Sequence, residues 1–225
     1  MNQPETNKMQ DNSKEVEEKS RNPDERGTIS IRGHIKISDV TEPDNKIVLV
    51  DKNNAIHYEN FSIALASSVS DQSQGWIAEM AFGNGGSRVD PTGIITYLTP
   101  NTVGVNAGLY NQTYYKNVDA NSVLNKDPSR NFMEVRHVSG AFYSDVLVTC
   151  LLDFGEPSDQ LAFDNSTSQT NAYTFDELGL RAYGINGPNT GNLLTHVIFH
   201  PVQKALNRLI QIDYTVRIQS LTNGM

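Results

Sequence analysis

The amino-acid sequence predicts an all-β fold, mainly an antiparallel β-sandwich or jelly-roll-like arrangement, with one short helix and an extended N-terminal arm. Several runs alternate apolar and polar residues, one run repeats apolar residues at helical spacing, and the first 27 residues are almost entirely polar. We count about seven to nine strands and one helix, which is typical of β-sandwiches. Without the arm, about 195 of the 225 residues remain, enough for one core. We therefore expect a single β-rich domain at residues 28–222.

The predicted arm covers residues 1–27. Apart from prolines, its apolar side chains are Met1, Met9 and Val16 alone. Such a segment cannot bury enough surface to offset the entropy of ordering its backbone. We expect it to be disordered unless it binds a partner, for example as a clasp on a neighbouring chain.

The first strands follow the arm. In "TISIRGHIKI" four isoleucines alternate with polar residues, which predicts one buried and one solvated face, with His34 on the solvated face. In "KIVLVDKNNAIHYENF" two β-prone runs flank Asp51–Asn54. Because Asn and Asp tolerate the backbone angles of tight turns, this stretch predicts a β-hairpin.

One helix and a glycine loop come next. In "NFSIALASSVS" Asn60 is a candidate N-cap, and Phe61, Leu65 and Val69 recur at helical spacing. "WIAEMAFGNGGS" reads as a short strand and a glycine-rich turn, with Trp76 in the core.

The rest of the chain divides into a long loop and three regular strands. Residues 87–135 are polar and rich in Asn, Tyr and Gly, which predicts a loop excursion that extends across a partner. Regular alternation returns in "AFYSDVLVTCLLDF" and in the final strand, residues 210–218, and "TFDELGLRAYG" is predicted to be a strand with a glycine break. Cys150 is expected to be a small apolar residue inside a strand.

Two histidines four residues apart, His196 and His200, raise the question of a metal site. On a helix they would share a face and reach one ion. "THVIF" is β-prone, however, and Pro201 disfavours helix at His200, so we predict a strand. Four residues of strand span about 13 Å, too far for both rings to bind one ion.

The glycine cluster and the acidic pair do not match catalytic motifs. "FGNGGS" lacks the spacing of a dinucleotide fingerprint and the Gly-Lys-Ser of a phosphate loop, which favours a tight turn where backbones pass closely. Asp176 and Glu177 are neighbours on a strand and should point to opposite faces, which indicates a charged strand edge. We therefore predict no catalytic, cofactor-binding or metal-binding residue, no cofactor and no enzymatic activity. The candidate interface residues in this cluster are Phe82, Gly83, Asn84, Gly85 and Gly86.

Charge and composition exclude several kinds of partner. The net charge is −8 and the 18 basic residues are scattered, whereas nucleic-acid binding needs clustered Lys and Arg. No apolar run approaches the ~20 residues of a membrane span, and the N-terminus has no apolar signal-peptide region. We expect neither nucleic-acid nor membrane binding.

Three stretches in a fixed order carry a family resemblance: "IAEMAFGNGG", then "FDELGL", then "LLTHVIFHPVQKALNRLIQIDYTVRI". This set, at residues 76–86 and 175–218, resembles small virion structural proteins of tailed bacteriophages, of the baseplate, fibre-attachment or neck type. The resemblance implies a non-enzymatic virion subunit, made in the host cytoplasm, whose partners are other virion proteins and copies of itself. A place in the tail, baseplate or neck is expected, and a head decoration or head-fibre protein is the alternative.

A different class of function stays open, a carbohydrate-binding β-sandwich in host recognition. The stretch "YLTPNTVGVNAGLYNQTYY" is rich in tyrosine, and aromatic faces stack on sugars. The competing interpretation places these tyrosines in an interface or in the core. The candidates are Tyr97, Tyr110, Tyr114 and Tyr115.

Overall fold

The computed structural model describes residues 27–158 and 172–221 and confirms an all-β fold with one short helix. The arm predicted for residues 1–27 lies, apart from Gly27, outside these described residues. The elements are β1 Thr28–Asp39, β2 Ile47–Ile56, α1 Tyr58–Val69, β3 Ile77–Gly83, β4 Ser87–Val89, β5 Ile95–Tyr97, β6 Gln112–Asn117, β7 Phe132–His137, β8 Tyr143–Leu152, β9 Ala172–Ala182, β10 Thr195–Ala205 and β11 Ile210–Leu221.

Nine strands form one antiparallel sheet in the order β6-β3-β9-β10-β2-β1-β11-β8-β7, and β4 and β5 form a separate ribbon. The sheet curls until its two ends approach each other. Lys116 on the edge strand β6 donates a hydrogen bond to the carbonyl of Leu151 on β8, at 2.7 Å. The inner face of the curled sheet therefore encloses the hydrophobic core.

The core collects side chains from strands distant in the sheet order. Ile35 of β1, Met80 of β3, Leu178 of β9 and Val216 of β11 are all fully buried in one cluster. Cys150, as predicted, lies buried inside a strand, and burial raises the pKa of its thiol to about 12.

The first strand follows the predicted alternation, but the predicted hairpin is wrong. Asp51–Asn54 lies inside β2, where Asp51 pairs with Lys36 of β1. The turn comes earlier, at residues 40–46, where Asp39 accepts hydrogen bonds from the Thr41 N–H and hydroxyl. The β1 ladder provides backbone partners throughout this stretch of β2, so local turn preference is overridden. His34 is partly exposed, as expected, and contacts Asp51 at 2.7 Å.

The helix begins two residues before the predicted cap. His57 is the N-cap, and its Nδ1 accepts a hydrogen bond from the Asn60 N–H at 3.2 Å. Asn60 is instead buried and donates to the carbonyl of Leu193 at 2.9 Å. Phe61 packs into the core, whereas Val69 is 91% exposed, so the apolar face ends before the last turn.

The segment 87–135 is more regular than predicted. It contains four strands, of which β6 pairs with β3 and β7 pairs with β8. The prediction of one continuous loop is therefore wrong over these strands, and irregular structure is confined mainly to residues 98–111 and 118–131. Strands β6 and β7 lie at the two ends of the sheet, where fewer neighbours demand apolar side chains. Their polar sequences therefore lack the regular apolar alternation from which strands are predicted.

Candidate functional site

Two acidic residues on β9 hold the irregular loops to the sheet. Asp176 and Glu177 are 3% and 0% exposed, so the prediction that they mark a strand edge is wrong. The reason is topological, since β9 lies between β3 and β10 inside the sheet. A buried carboxylate requires hydrogen-bond donors, and both residues obtain them from the chain itself.

Glu177 accepts four hydrogen bonds. Its Oε1 accepts from the N–H groups of Gly85 and Asn111, at 3.1 and 2.8 Å, and its Oε2 from the N–H of Tyr110 at 2.9 Å. The His196 Nε2 is the fourth donor, at 2.9 Å. Burial by itself raises the pKa of Glu177, but the bonds from His196 and the two nearer backbone amides outweigh burial and lower the pKa.

His196 completes this cluster from β10. Its Nδ1 accepts a hydrogen bond from the Asn101 N–H at 2.8 Å, while its Nε2 donates to Glu177. One accepting and one donating nitrogen is the pattern of a neutral imidazole. The prediction that His196 and His200 lie on a strand is confirmed, and His200 makes a different contact, with the Tyr97 hydroxyl at 3.2 Å.

Asp176 holds the same glycine loop as Glu177, and Glu79 holds a separate loop. Asp176 accepts hydrogen bonds from the N–H groups of Gly86 and Ser87, at 2.9 and 2.7 Å, and from the Ser87 hydroxyl. Glu79 on β3 accepts from the Asn189 N–H at 2.9 and 3.0 Å. Burial raises the pKa of Asp176 and of Glu79 above the ordinary carboxyl value. Sequence reasoning missed these roles, although acidic residues between Phe175 and Leu178 in an apolar strand are a signal of buried, partnered carboxylates.

The glycine loop lies where the sequence predicts a close passage of two backbones. A Cβ on Gly83 would lie 2.5 Å from the Asn111 carbonyl oxygen, and one on Gly85 would lie 2.7 Å from the Asn111 nitrogen. Only glycine permits this approach. The loop backbone is therefore pressed against residues 110–111 of the same chain.

This packing corrects part of the predicted interface. Phe82 is fully buried against Phe175, with ring centroids 5.4 Å apart. Gly83 and Gly86 are buried as well, so these three residues present no surface to a partner. Asn84 and Gly85 are partly exposed.

The four candidate tyrosines separate into two groups. Tyr97 and Tyr110 are 50% and 46% exposed, and the Tyr110 hydroxyl donates to the Thr99 carbonyl at 2.6 Å. Tyr114 is buried beside Tyr173 in the core and is unavailable to a ligand, whereas Tyr115 is partly buried. The loop backbone that carries Tyr110 is held by Glu177, so its aromatic ring stands on a fixed support.

The curled sheet leaves apolar inner-face residues uncovered where β1 and β8 begin and β11 ends. Ile29 of β1 lies opposite Ser220 of β11, whose N–H donates to the Phe142 carbonyl at 2.8 Å. Ile29 is two residues before Ile31, which lies in the core, and alternate residues of a strand point to the same face. Ile29 therefore belongs to the inner face, and so does Phe142, which lies level with it. Ile29 and Phe142 are nevertheless 62% and 67% exposed. We call this region, with Val135, the open end.

A groove of about 330 Å³ leads from the open end to the core. It runs between α1 and β7. Val135 forms part of its wall and is 70% exposed. Trp76, predicted to be in the core, is 43% exposed here and stacks on Tyr183 at 4.8 Å. Further lining residues are Phe61, Leu65, Gly75, Met133 and Ile218.

A second, polar cleft of about 490 Å³ lies between β6 and β8. Five of the charged side chains that line it form ion pairs: Lys116 contacts Glu156, and Arg130 contacts Asp127 and Asp153, both at 2.5 Å. The Lys116–Glu156 pair links β6 to the segment after β8, and so joins the two sides of the sheet across the cleft. These five paired charges therefore have a structural role.

Lys204 is buried and donates to the carbonyls of Asp153 and Glu156, two residues that line this cleft, both at 2.8 Å, and to the carbonyl of Ala205 at 3.0 Å. Burial lowers the pKa of Lys204 to about 8. Between pH 8 and the ordinary lysine value, the unfolded chain binds a proton that the folded chain has released, so stability rises with pH.

We expect Lys204 to add about 1–3 kcal/mol to the unfolding free energy between pH 8 and 10. The measurement is urea denaturation of the wild type and of Lys204→Met across this range. The variant should lack this contribution. The buried Cys150, whose pKa is raised, lowers stability over the same pH range, but it does so equally in both proteins. Parallel pH profiles for the two proteins would contradict the prediction.

Within residues 27–158 and 172–221, no group of three or more His, Cys, Asp or Glu side chains could hold a metal ion. The helix α1, the single helix in this part of the chain, is too short to cross a membrane. Comparisons with protein-family models, with curated proteins and with solved structures find no match for this chain.

Proposed function

We propose that this chain is a non-enzymatic structural subunit of a larger assembly and that it contacts neighbouring proteins through its open end. The observation that supports this proposal most is the exposure of Ile29, Val135 and Phe142. These residues continue the inner, core-lining face of the sheet and yet are more than half exposed. Exposed apolar side chains on a core-lining face typically mark a site of protein–protein interaction. A neighbour that covers it would complete the core.

The buried ionisable residues support a structural role. Asp176, Glu177, Glu79 and His196 direct their hydrogen-bonding atoms to backbone amides of loops or to one another. A general acid or base needs a proton-transfer atom within reach of a substrate. In this cluster the polar atoms are occupied by the chain itself, which makes the loops rigid.

The assembly that we propose is a tailed-phage virion, with a position in the tail, baseplate or neck. This part of the proposal depends on the ordered resemblance at residues 76–86 and 175–218. A head decoration or head-fibre position is the alternative. Quantitative mass spectrometry of purified particles tests it: a fixed copy number per particle supports the proposal, and absence from the particles contradicts it.

The open end is tested with an Ile29→Ser/Phe142→Ser variant. Both side chains are mostly exposed in the isolated chain, so we expect the unfolding free energy to change by less than about 1 kcal/mol. Incorporation into particles should fall at least about tenfold, the effect of losing about 1.4 kcal/mol of contact energy. Tyr58→Ser, at a residue 68% exposed outside the open end, is the matched control and should be incorporated normally. Equal incorporation of both variants would contradict the proposed surface.

A second candidate function is carbohydrate binding, which the half-exposed pair Tyr97 and Tyr110 favours. Aromatic side chains on a fixed support lose little entropy when a sugar ring stacks on them. A glycan array probed with the purified chain tests this candidate. Binding that Tyr97→Ala and Tyr110→Ala abolish, and that Tyr58→Ala preserves, would support it.

A further inference from the structure

The edge strand β7 has an unoccupied backbone edge. It pairs with β8 on one side, and within the described residues no strand pairs with its other side. Residues 134–137 are all exposed. An exposed edge with free N–H and C=O groups is a template for pairing with another strand.

The side chains of β7 divide into two faces. Val135 lies opposite Val146 of β8, which points to the same face as the core residues Val148 and Cys150. Met133, Val135 and His137 therefore belong to the inner face. Glu134 and Arg136 belong to the outer face, where they form an exposed ion pair with each other. Met133 and Val135 also line the apolar groove.

This pattern is self-complementary in one register. If two copies of β7 pair antiparallel about Val135, the Glu134 of each copy lies opposite the Arg136 of the other copy. The pairing therefore forms two pairs of opposite charges. A register centred on Glu134 places two glutamates opposite each other, and one centred on Arg136 places two arginines opposite each other. Opposite charges directly across a strand pair are favourable and like charges are unfavourable.

We propose that two copies of this chain associate through β7, antiparallel about Val135, and join their nine-stranded sheets into one continuous sheet. The outer face then gains two cross-strand ion pairs, and the inner face brings the two Val135 side chains together beside the apolar grooves. The occupant of the edge is thus a second copy of this chain. This inference rests on the proposed assembly role and names one of its contacts.

Charge reversal at Glu134 and Arg136 tests the register by sedimentation of the purified full chain at micromolar concentrations. Wild type should form dimers. The variants Glu134→Arg and Arg136→Glu each place like charges opposite one another, and each should dimerise at least tenfold more weakly. The double variant Glu134→Arg/Arg136→Glu restores opposite charges and should regain wild-type dimerisation. Glu42→Arg, at an exposed residue of the β1–β2 turn, is the matched control and should behave as wild type.

A mixing experiment makes the test sharper. Glu134→Arg carries two arginines on the outer face of β7, and Arg136→Glu carries two glutamates. Neither variant pairs well with itself, but an equimolar mixture should form a heterodimer. Both positions are exposed, so circular dichroism should match wild type. Arg136→Glu places a carboxylate opposite Asp145 of β8, so its unfolding free energy should fall, but by no more than about 1 kcal/mol. A wild-type monomer, dimers insensitive to the single charge reversals, or a mixture that does not associate would each overturn the inference.

The two proposals can fail separately. A chain that stays monomeric in solution but occurs at fixed copy number in particles overturns β7 self-pairing alone. A chain that dimerises with the predicted charge dependence but is absent from particles overturns the virion role alone. The open-end variant and the charge-reversal variants alter different residues, so their effects can be distinguished.

Discussion

Replacing Glu177 with alanine is expected to lower the unfolding free energy by about 3–5 kcal/mol, the usual cost of removing one member of a buried, hydrogen-bonded charged group. The substitution leaves the N–H groups of Gly85, Tyr110 and Asn111, and the Nε2 of His196, without their acceptor. Each buried unpaired donor costs about 1–3 kcal/mol, although water entering the gap recovers part of that. Urea denaturation followed by tryptophan fluorescence measures the change.

The control is Glu42→Ala, which removes an exposed carboxylate and should change stability by less than about 0.5 kcal/mol. Hydrogen exchange gives a second, local readout. The amides of Tyr110 and Asn111 should exchange faster in Glu177→Ala, since their acceptor is gone. Unchanged exchange at these two amides would contradict the role assigned to Glu177 even if the variant is less stable.

The same residue has a defined pH dependence. Its hydrogen bonds hold the pKa of Glu177 below the ordinary value, so its contribution to stability is present above the unfolded pKa and is lost as pH falls through the folded pKa. The stability difference between wild type and Glu177→Ala should therefore narrow below about pH 4. Glu79, whose pKa burial raises, affects both proteins equally, because Glu177 does not contribute to its pKa shift.

Gly179→Ala is expected to cost about 2–4 kcal/mol, a large effect for a single added methyl group. A Cβ at this position would lie 2.2 Å from the carbonyl oxygen of Thr195 and 2.7 Å from the Cδ1 of Leu193. The first contact is with backbone, which cannot rotate away, so β9 and β10 must separate locally. Thermal and urea denaturation measure the loss.

Gly108→Ala provides the matched control for this substitution. The nearest atom to its added Cβ is the guanidinium nitrogen of Arg181, at 3.8 Å, an ordinary contact. We expect a change within about 0.5 kcal/mol, or a slight gain from lower entropy of the unfolded chain. Similar losses for the two variants would show that Gly179 matters for backbone freedom rather than for close strand approach.

Sequence periodicity predicts the strands whose two faces differ. The alternation in β1, β8 and β11 is visible because each of these strands packs one face on the core, so buried and solvated positions differ in every second residue. The helix is predicted from Phe61 and Leu65, although its cap is displaced, because a histidine side chain accepts the hydrogen bond that asparagine was expected to accept. These features depend on neighbours close in sequence.

Features that depend on distant neighbours were missed. β6 is polar because it lies at an edge, and "DKNNA" forms strand rather than turn because β1 lies alongside it. The burial of Asp176 and Glu177 requires knowing that β9 lies between β3 and β10 and that residues 84–111 fold back over them. No local pattern specifies which loop donates to a carboxylate.

The buried thiol of Cys150 gives the protein an internal reporter. It is the single cysteine of the chain, it is fully buried, and its pKa of about 12 leaves almost no thiolate at neutral pH. An alkylating reagent can therefore react with the native protein only after the strands around Cys150 separate. The rate of alkylation in the absence of denaturant would measure how often the core opens, with no engineered label.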